Sequence, residues 1–166
     1  LRINNLQSLY LFQAKRFIRL YPLHFILLIV FFFLECIEFY KETYTNDVGI
    51  APSFSINTLF AFWHNVFLTH SLFLDNVSWN YPSWSISAEF YTYFLFGLMM
   101  LFTKSNSRFI LYSSSILIAI SFFILLNTSM DTSQGMIRCL YSFFMGVIIF
   151  NFNSKFSMKV SPWFSY

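Results

Sequence analysis

The chain has 166 residues, of which 57% are hydrophobic, 23% aromatic and only 10% charged, and its mean hydropathy is +0.60. A soluble domain carries far more charge, so this composition excludes a water-soluble globule and describes a protein of the bilayer. The net charge of +3 comes from bases grouped beside apolar runs, the layout that topology selection produces, so no nucleic-acid partner is expected.

In chain order, Leu1 to Arg19 is polar and basic, with Arg2, Lys15, Arg16 and Arg19, and it leads into an apolar run from Leu20 to about Tyr40 that is long enough to cross a membrane. His24 lies near the start of that run, and Glu35 and Glu38 near its end. Arg16 and Arg19 stand one helical turn apart. Two guanidiniums so spaced can grip phosphates bidentately, or can act as topology anchors that snorkel to lipid head groups. Lys41 to Ser55 reads as a loop, broken by Asp47, Gly49 and Pro52.

Ile56 to Leu74 is apolar enough to enter the membrane, yet carries Asn57, His64, Asn65 and His70. After it comes Trp79-Asn80-Tyr81-Pro82-Ser83-Trp84-Ser85-Ile86-Ser87-Ala88-Glu89. Pro82 suits a first helical turn and Asn80 a cap before it, so a helix is expected to start near Tyr81. From Pro82 to Phe102 the only formal charge is Glu89. A carboxylate inside a bilayer costs about 2.5–3.5 kcal/mol on insertion scales and faces a bundle interior, a partner or a water-filled cavity. Helical spacing puts Ser85, Thr92 and Tyr93 on its face.

A short basic loop with Lys104 and Arg108 precedes an apolar span from Phe109 to Leu126. Asn127 to Gln134 is polar and holds Asp131, and the last apolar segment, Gly135 to about Phe152, carries Arg138 near its start and is followed by Lys155 and Lys159. If Ile56 to Leu74 does not cross, the loops with Lys15/Arg16/Arg19, Lys104/Arg108 and Lys155/Lys159 all fall on the cytoplasmic side, and those with Asp47, Asp75 and Asp131 outside. If it crosses, that pattern breaks. The expected fold is therefore all-α, a polytopic transmembrane helix bundle of four spanning helices plus one re-entrant or interfacial segment. It places Trp79 to Glu89 at the external face and Arg16 and Arg19 at the cytoplasmic one.

Glu89 reads as a proton acceptor, a ligand of a substrate hydroxyl or the partner of a buried cation. Arg138, about one turn into its own span, can occupy the same layer and pair with it. His24, His64 and His70 lack the i, i+4 spacing of a helical metal site, so hydrogen-bonded roles are expected and no metal. Cys36 and Cys139 lie in apolar segments as packing residues. Asn76-Val77-Ser78 and Asn127-Thr128-Ser129 fit the glycosylation pattern.

Three stretches together resemble the membrane-bound acyltransferase family 3, whose bacterial members acylate cell-surface glycans. They are Arg16-Phe17-Ile18-Arg19-Leu20-Tyr21-Pro22-Leu23-His24, Asn80-Tyr81-Pro82-Ser83-Trp84-Ser85-Ile86-Ser87-Ala88-Glu89-Phe90, and Ile137-Arg138-Cys139-Leu140-Tyr141-Ser142-Phe143-Phe144-Met145-Gly146-Val147. The resemblance implies that Arg16 and Arg19 form the Arg-x-x-Arg motif that engages acyl-coenzyme A, acetyl-coenzyme A above all, from the cytoplasm. It implies that Trp84, Ser85 and Glu89 form the Trp-Ser-x-x-x-Glu motif near the acceptor, a glycan or lipid-linked glycan, with Arg138 on the same side. It further implies a site in a bacterial inner membrane and a surrounding of membrane lipid. Residues 1–166 are then expected to be part of one integral membrane acyltransferase domain whose N-terminal and C-terminal helices, including the catalytic His, lie outside this stretch, so that the stretch alone is inactive. A transporter or flippase for a glycan or small anion, and a structural membrane subunit, are the alternative readings.

Overall fold

A computed structural model of the protein describes residues 3–45, 51–74, 78–104, 106–127 and 134–156. Asp47, Asp75, Asp131 and Lys159 of the sidedness pattern, the loop breaker Gly49, and Asn76, Thr128 and Ser129 of the glycosylation patterns lie outside the described residues. The elements are α1 (Leu6–Thr45), α2 (Leu59–Val66), α3 (His70–Phe73), α4 (Trp84–Phe102), α5 (Ser107–Asn127) and α6 (Gly135–Phe156). Four helices are long and apolar enough to cross a membrane: α1, α4 with the turn before it, α5 and α6. The protein is an all-α integral membrane bundle. Ile56 to Leu74 supplies only α2 and α3, and the eight residues of α2 rise about 12 Å, too short to span.

The first span differs from its sequence reading. One helix of 40 residues, about 60 Å long, starts at Leu6, runs through Pro22 and ends at Thr45, so it takes in the basic lead and also the first residues of the loop expected from Lys41. Its charged residues near the N-terminus are thus helical, and one stripe of α1 faces the bundle: Leu9, His24 and Leu28 are buried, with Gln13, Arg16 and Leu20 half-buried between them. The outer face, including Leu23, Ile26, Val30, Phe33 and Ile37, is exposed, as a lipid-facing surface requires.

The first part of α1 packs antiparallel to α4. Gly97 makes the approach close, since a Cβ there would collide with the Leu9 side chain and press on Phe12. Leu9, Met99, Met100, Ile110 and Phe144 then form the lower core, to which α5 and α6 contribute. The second part of α1 carries the segment between Ala51 and Asn80. Glu42 accepts from the Ser53 N–H at 2.9 Å, and Glu35 accepts from the Phe54 N–H and from Asn57 Nδ2, both at 2.7 Å. Asn57 Oδ1 in turn accepts from the Trp79 N–H at 2.6 Å, and the Trp79 indole donates to the Thr58 carbonyl at 3.0 Å. Phe54 and Trp79 both hold left-handed backbone, with φ of 60° and 62°. Such a conformation costs a non-glycine residue about 1–2 kcal/mol, which the hydrogen bonds and the burial of Trp79 against Leu28 and Ala61 offset.

The start of α4 is also built differently from expectation. Tyr81–Ser83 forms a 3₁₀ turn with Pro82 inside it, and regular helix begins at Trp84. Asn80 makes no side-chain cap hydrogen bond; the Ser83 hydroxyl instead donates to the Asn80 carbonyl at 2.7 Å.

Candidate functional site

Because α4 lies along residues 9–24 of α1 rather than along the apolar run from Leu20, the two polar motifs are not at opposite ends of the bundle. Gln13 Nε2 donates to the Phe90 carbonyl at 3.1 Å, and Phe17 meets Phe90 edge-on at 6.0 Å. One level along, Phe12 meets Tyr93 edge-on at 6.2 Å. The Arg16 guanidinium sits at this level, 4.4 Å from the Tyr93 ring centre and 5.3 Å from that of Phe12. A cation over two aromatic faces gains about 0.5–2 kcal/mol, more as water is excluded. Glu89 stands one turn before Tyr93, and the charges acting on the Tyr93 hydroxyl are those of Glu89, Arg16 and Arg19. The geometry thus corrects the placement of Arg16 and Glu89 on opposite faces and puts them in one layer, with Tyr93 between them.

What this layer lacks is a direct pairing. Among the described residues the Arg16 guanidinium has aromatic and electrostatic neighbours but donates no hydrogen bond and forms no ion pair with Glu89. Gln13 Oε1, on the preceding turn, is a buried acceptor without a described donor. Arg16, Glu89 and Tyr93 are half-buried, and Arg19 is exposed. Five N–H donors on a held, half-desolvated cation suit a phosphate or carboxylate, and an adjacent carboxylate suits a hydroxyl.

About 12 Å further along α1 lies a second polar cluster. His24 and His70 stack at 5.7 Å with an 18° angle between their planes, and both are buried. His24 Nε2–H donates to the Asn65 carbonyl at 2.9 Å and His70 Nε2–H to the Ser83 carbonyl at 3.0 Å; a carbonyl only accepts, so the proton of each neutral ring is on Nε2. Ser83 Oγ also reaches Asn65 Oδ1 at 3.3 Å, and Ser71 and Ser87 share a hydrogen bond of 2.6 Å. Burial holds the His70 imidazole below the ordinary histidine range against the opposing pull of its carbonyl contacts. These groups tie α3 and the loop end of α2 to α1 and α4, so the histidines carry the hydrogen-bonded roles that their spacing suggests.

A family model for an acyltransferase domain, acyltransferase 3, matches residues 2–165. The chain belongs to acyltransferase family 3. No curated protein and no solved structure matches it. For this acyltransferase the remaining motif residues divide into two groups. Trp84 is half-buried and packs on the first turn of α6, where a Cβ on Gly135 would collide with its indole. Ser85 is exposed and its hydroxyl donates back to the Pro82 carbonyl at 2.9 Å, so it is spent on the first turn of α4. Thr92 is buried and donates to Cys139 Sγ at 3.4 Å, which sets α6 parallel to α4 and Arg138 near the level of Glu89. Arg138 is nonetheless exposed, and among the described residues it forms no pair with Glu89.

Phe12 and Gln13, which lie in none of the three motif stretches, also stand at this level of α1. Helical spacing alone puts Tyr93 on the face of Glu89, but its contact with Arg16 depends on the register of α1. A cavity of about 550 Å³ opens between α4, α5 and α6, lined by Phe96, Met100, Ile110, Phe143 and Phe150 with Ser107 and Asn151 at one end. None of the residues lining it is titratable. Among the described residues no three His, Cys, Asp or Glu side chains stand together as metal ligands would.

Proposed function

We propose that this acyltransferase moves an acyl group, acetyl in the first instance, from acyl-coenzyme A on the cytoplasmic side to a hydroxyl of a cell-surface carbohydrate or its lipid-linked precursor, in a bacterial inner membrane. The observation that carries the reading is the uncommitted Arg16 guanidinium in the same layer as Glu89: one group suited to an anionic donor beside one suited to a hydroxyl acceptor. Arg16, with Arg19 one turn on, holds the phosphates of the donor. Glu89 accepts a hydrogen bond from the acceptor hydroxyl and orients it, and Trp84 offers an aromatic face to a sugar ring. In the transfer the acceptor oxygen bonds to the thioester carbonyl carbon, the carbon–sulfur bond breaks, the thiolate leaves, and the hydroxyl proton passes to a general base, the histidine that the family resemblance implies.

The two sides are separable by substitution in the intact protein. Arg16→Ala is expected to weaken coenzyme A binding about tenfold or more, and Glu89→Gln to leave that binding intact while lowering transfer at least about tenfold. Normal turnover by Glu89→Gln at normal abundance would make Glu89 structural and remove it from the site.

A further inference from the structure

Two opposite charges in one half-buried layer attract strongly, because an apolar surrounding screens them far less than water does. Arg16 and Glu89 are in that position, yet they form no ion pair. The side chain between them explains why. Tyr93 presents its ring to the guanidinium, whose centre is 4.4 Å from the ring centroid, and its hydroxyl is near the Glu89 carboxylate on the preceding turn. Phe12 closes the cation from α1 at 5.3 Å, and Phe143 of α6 meets the Tyr93 ring edge-on at 5.6 Å, so the ring is braced from two helices.

We propose that Tyr93 is a positioning residue that keeps Arg16 and Glu89 apart, so that the guanidinium stays free for the donor and the carboxylate for the acceptor. Its two ends serve the two substrates: the ring holds the cation and the hydroxyl orients the carboxylate. This role rests on the acyl-transfer reading for its substrates, but the separation of the charges does not, and it is testable without any ligand. Removing the ring lets the arginine fall onto the glutamate.

The test is a double-mutant cycle between Arg16→Gln and Glu89→Gln, read as melting temperature of the intact protein in detergent, run with Tyr93 present and again in a Tyr93→Leu background. The expected coupling is larger by roughly 3 °C without Tyr93 than with it, as a direct ion pair forms. Equal coupling in both backgrounds overturns the proposal.

Ligand binding supplies the second arm. Tyr93→Leu weakens coenzyme A binding about tenfold, and adding Glu89→Gln restores it to within about threefold, because the arginine no longer has a carboxylate to fall onto. A purely structural tyrosine gives no such recovery. Tyr93→Phe, which keeps the ring, leaves coenzyme A binding unchanged and lowers acceptor-dependent turnover about tenfold. If Tyr93→Leu does not fold, a Tyr93→Phe variant equal to the parent in both measurements overturns the proposal by itself. Failure of the parent protein to bind coenzyme A counts against the acyl-transfer reading, while the melting cycle still decides the role of Tyr93.

Discussion

Replacing Glu35 by Ala tests how the segment ahead of α4 is held. The Glu35 carboxylate accepts two hydrogen bonds of 2.7 Å, from the Phe54 N–H and from Asn57 Nδ2. Hydrogen bonds to a charged acceptor contribute about 1.5–3 kcal/mol each, and half-exposure places both at the lower end, so the pair is worth about 3 kcal/mol. For a chain of this size about 1 kcal/mol moves the melting temperature by 2–4 °C, which gives a loss of roughly 6–12 °C. The bond from Trp79 N–H to Asn57 Oδ1 depends on Asn57 being fixed by Glu35, so the indole should also become more exposed. Tryptophan fluorescence of the purified protein in detergent reads both effects. Glu38→Ala, three residues on and exposed, is the control and should shift the melting point by less than about 2 °C. An equally small shift for Glu35→Ala, with the indole environment unchanged, would refute the view that this carboxylate straps the segment to α1.

Three further outcomes are expected. Gly97→Leu inserts a side chain where even a Cβ meets Leu9, so it should separate α1 from α4 and lower coenzyme A binding at least about tenfold through Arg16, measured on protein of normal abundance. His24→Gln keeps a second donor for the Asn65 carbonyl and should melt within about 2 °C of the parent, whereas His24→Leu leaves that carbonyl only the Leu68 N–H at 3.1 Å, cuts the tie between α1 and α2, and should lose more than about 3 °C. The depressed His70 imidazole makes the unfolded chain the stronger proton binder as pH falls. Its stabilising contribution is therefore complete above the ordinary histidine pKa of about 6.5 and lost on acidification below it; the titratable groups facing it are His24 of α1 and His64 of α2. Melting temperature should drop from pH 7 to pH 5, and His70→Gln should make the drop shallower.

Much of the bundle was legible in the residues. Apolar run length gave the spans, the pattern of lysine and arginine in the loops gave the non-crossing of Ile56 to Leu74, and the lone charge of Glu89 marked a polar position on α4. The register between helices was not legible, because it is set by tertiary packing at Gly97, Leu9 and Phe12 rather than by periodicity within either helix. For that reason loop charge alone puts Arg16 and Glu89 toward opposite faces, although both lie near Tyr93 in one layer. The basic lead into α1 concealed a helix, since residues 6–19 pack one stripe on α4 while their charges remain at its margin. The His24–His70 stack joins positions 46 apart in the chain, and the straps from Glu35 and Glu42 reach across the loop after α1; neither leaves a local signal. The Glu89–Arg138 pairing that shared depth suggests is not made: Arg138 lies near the level of Glu89 but its side chain is exposed.

The most direct test of the account supplies labelled acetyl-coenzyme A to inverted membrane vesicles that contain the intact protein and the cell's own glycans, with the Arg16→Ala/Arg19→Ala variant beside it. The account predicts label in carbohydrate, released by mild base as an ester is, and little or none with the variant. No label from several acyl donors, with the protein folded and abundant, would contradict it and leave transport of a glycan or anion as the stronger reading.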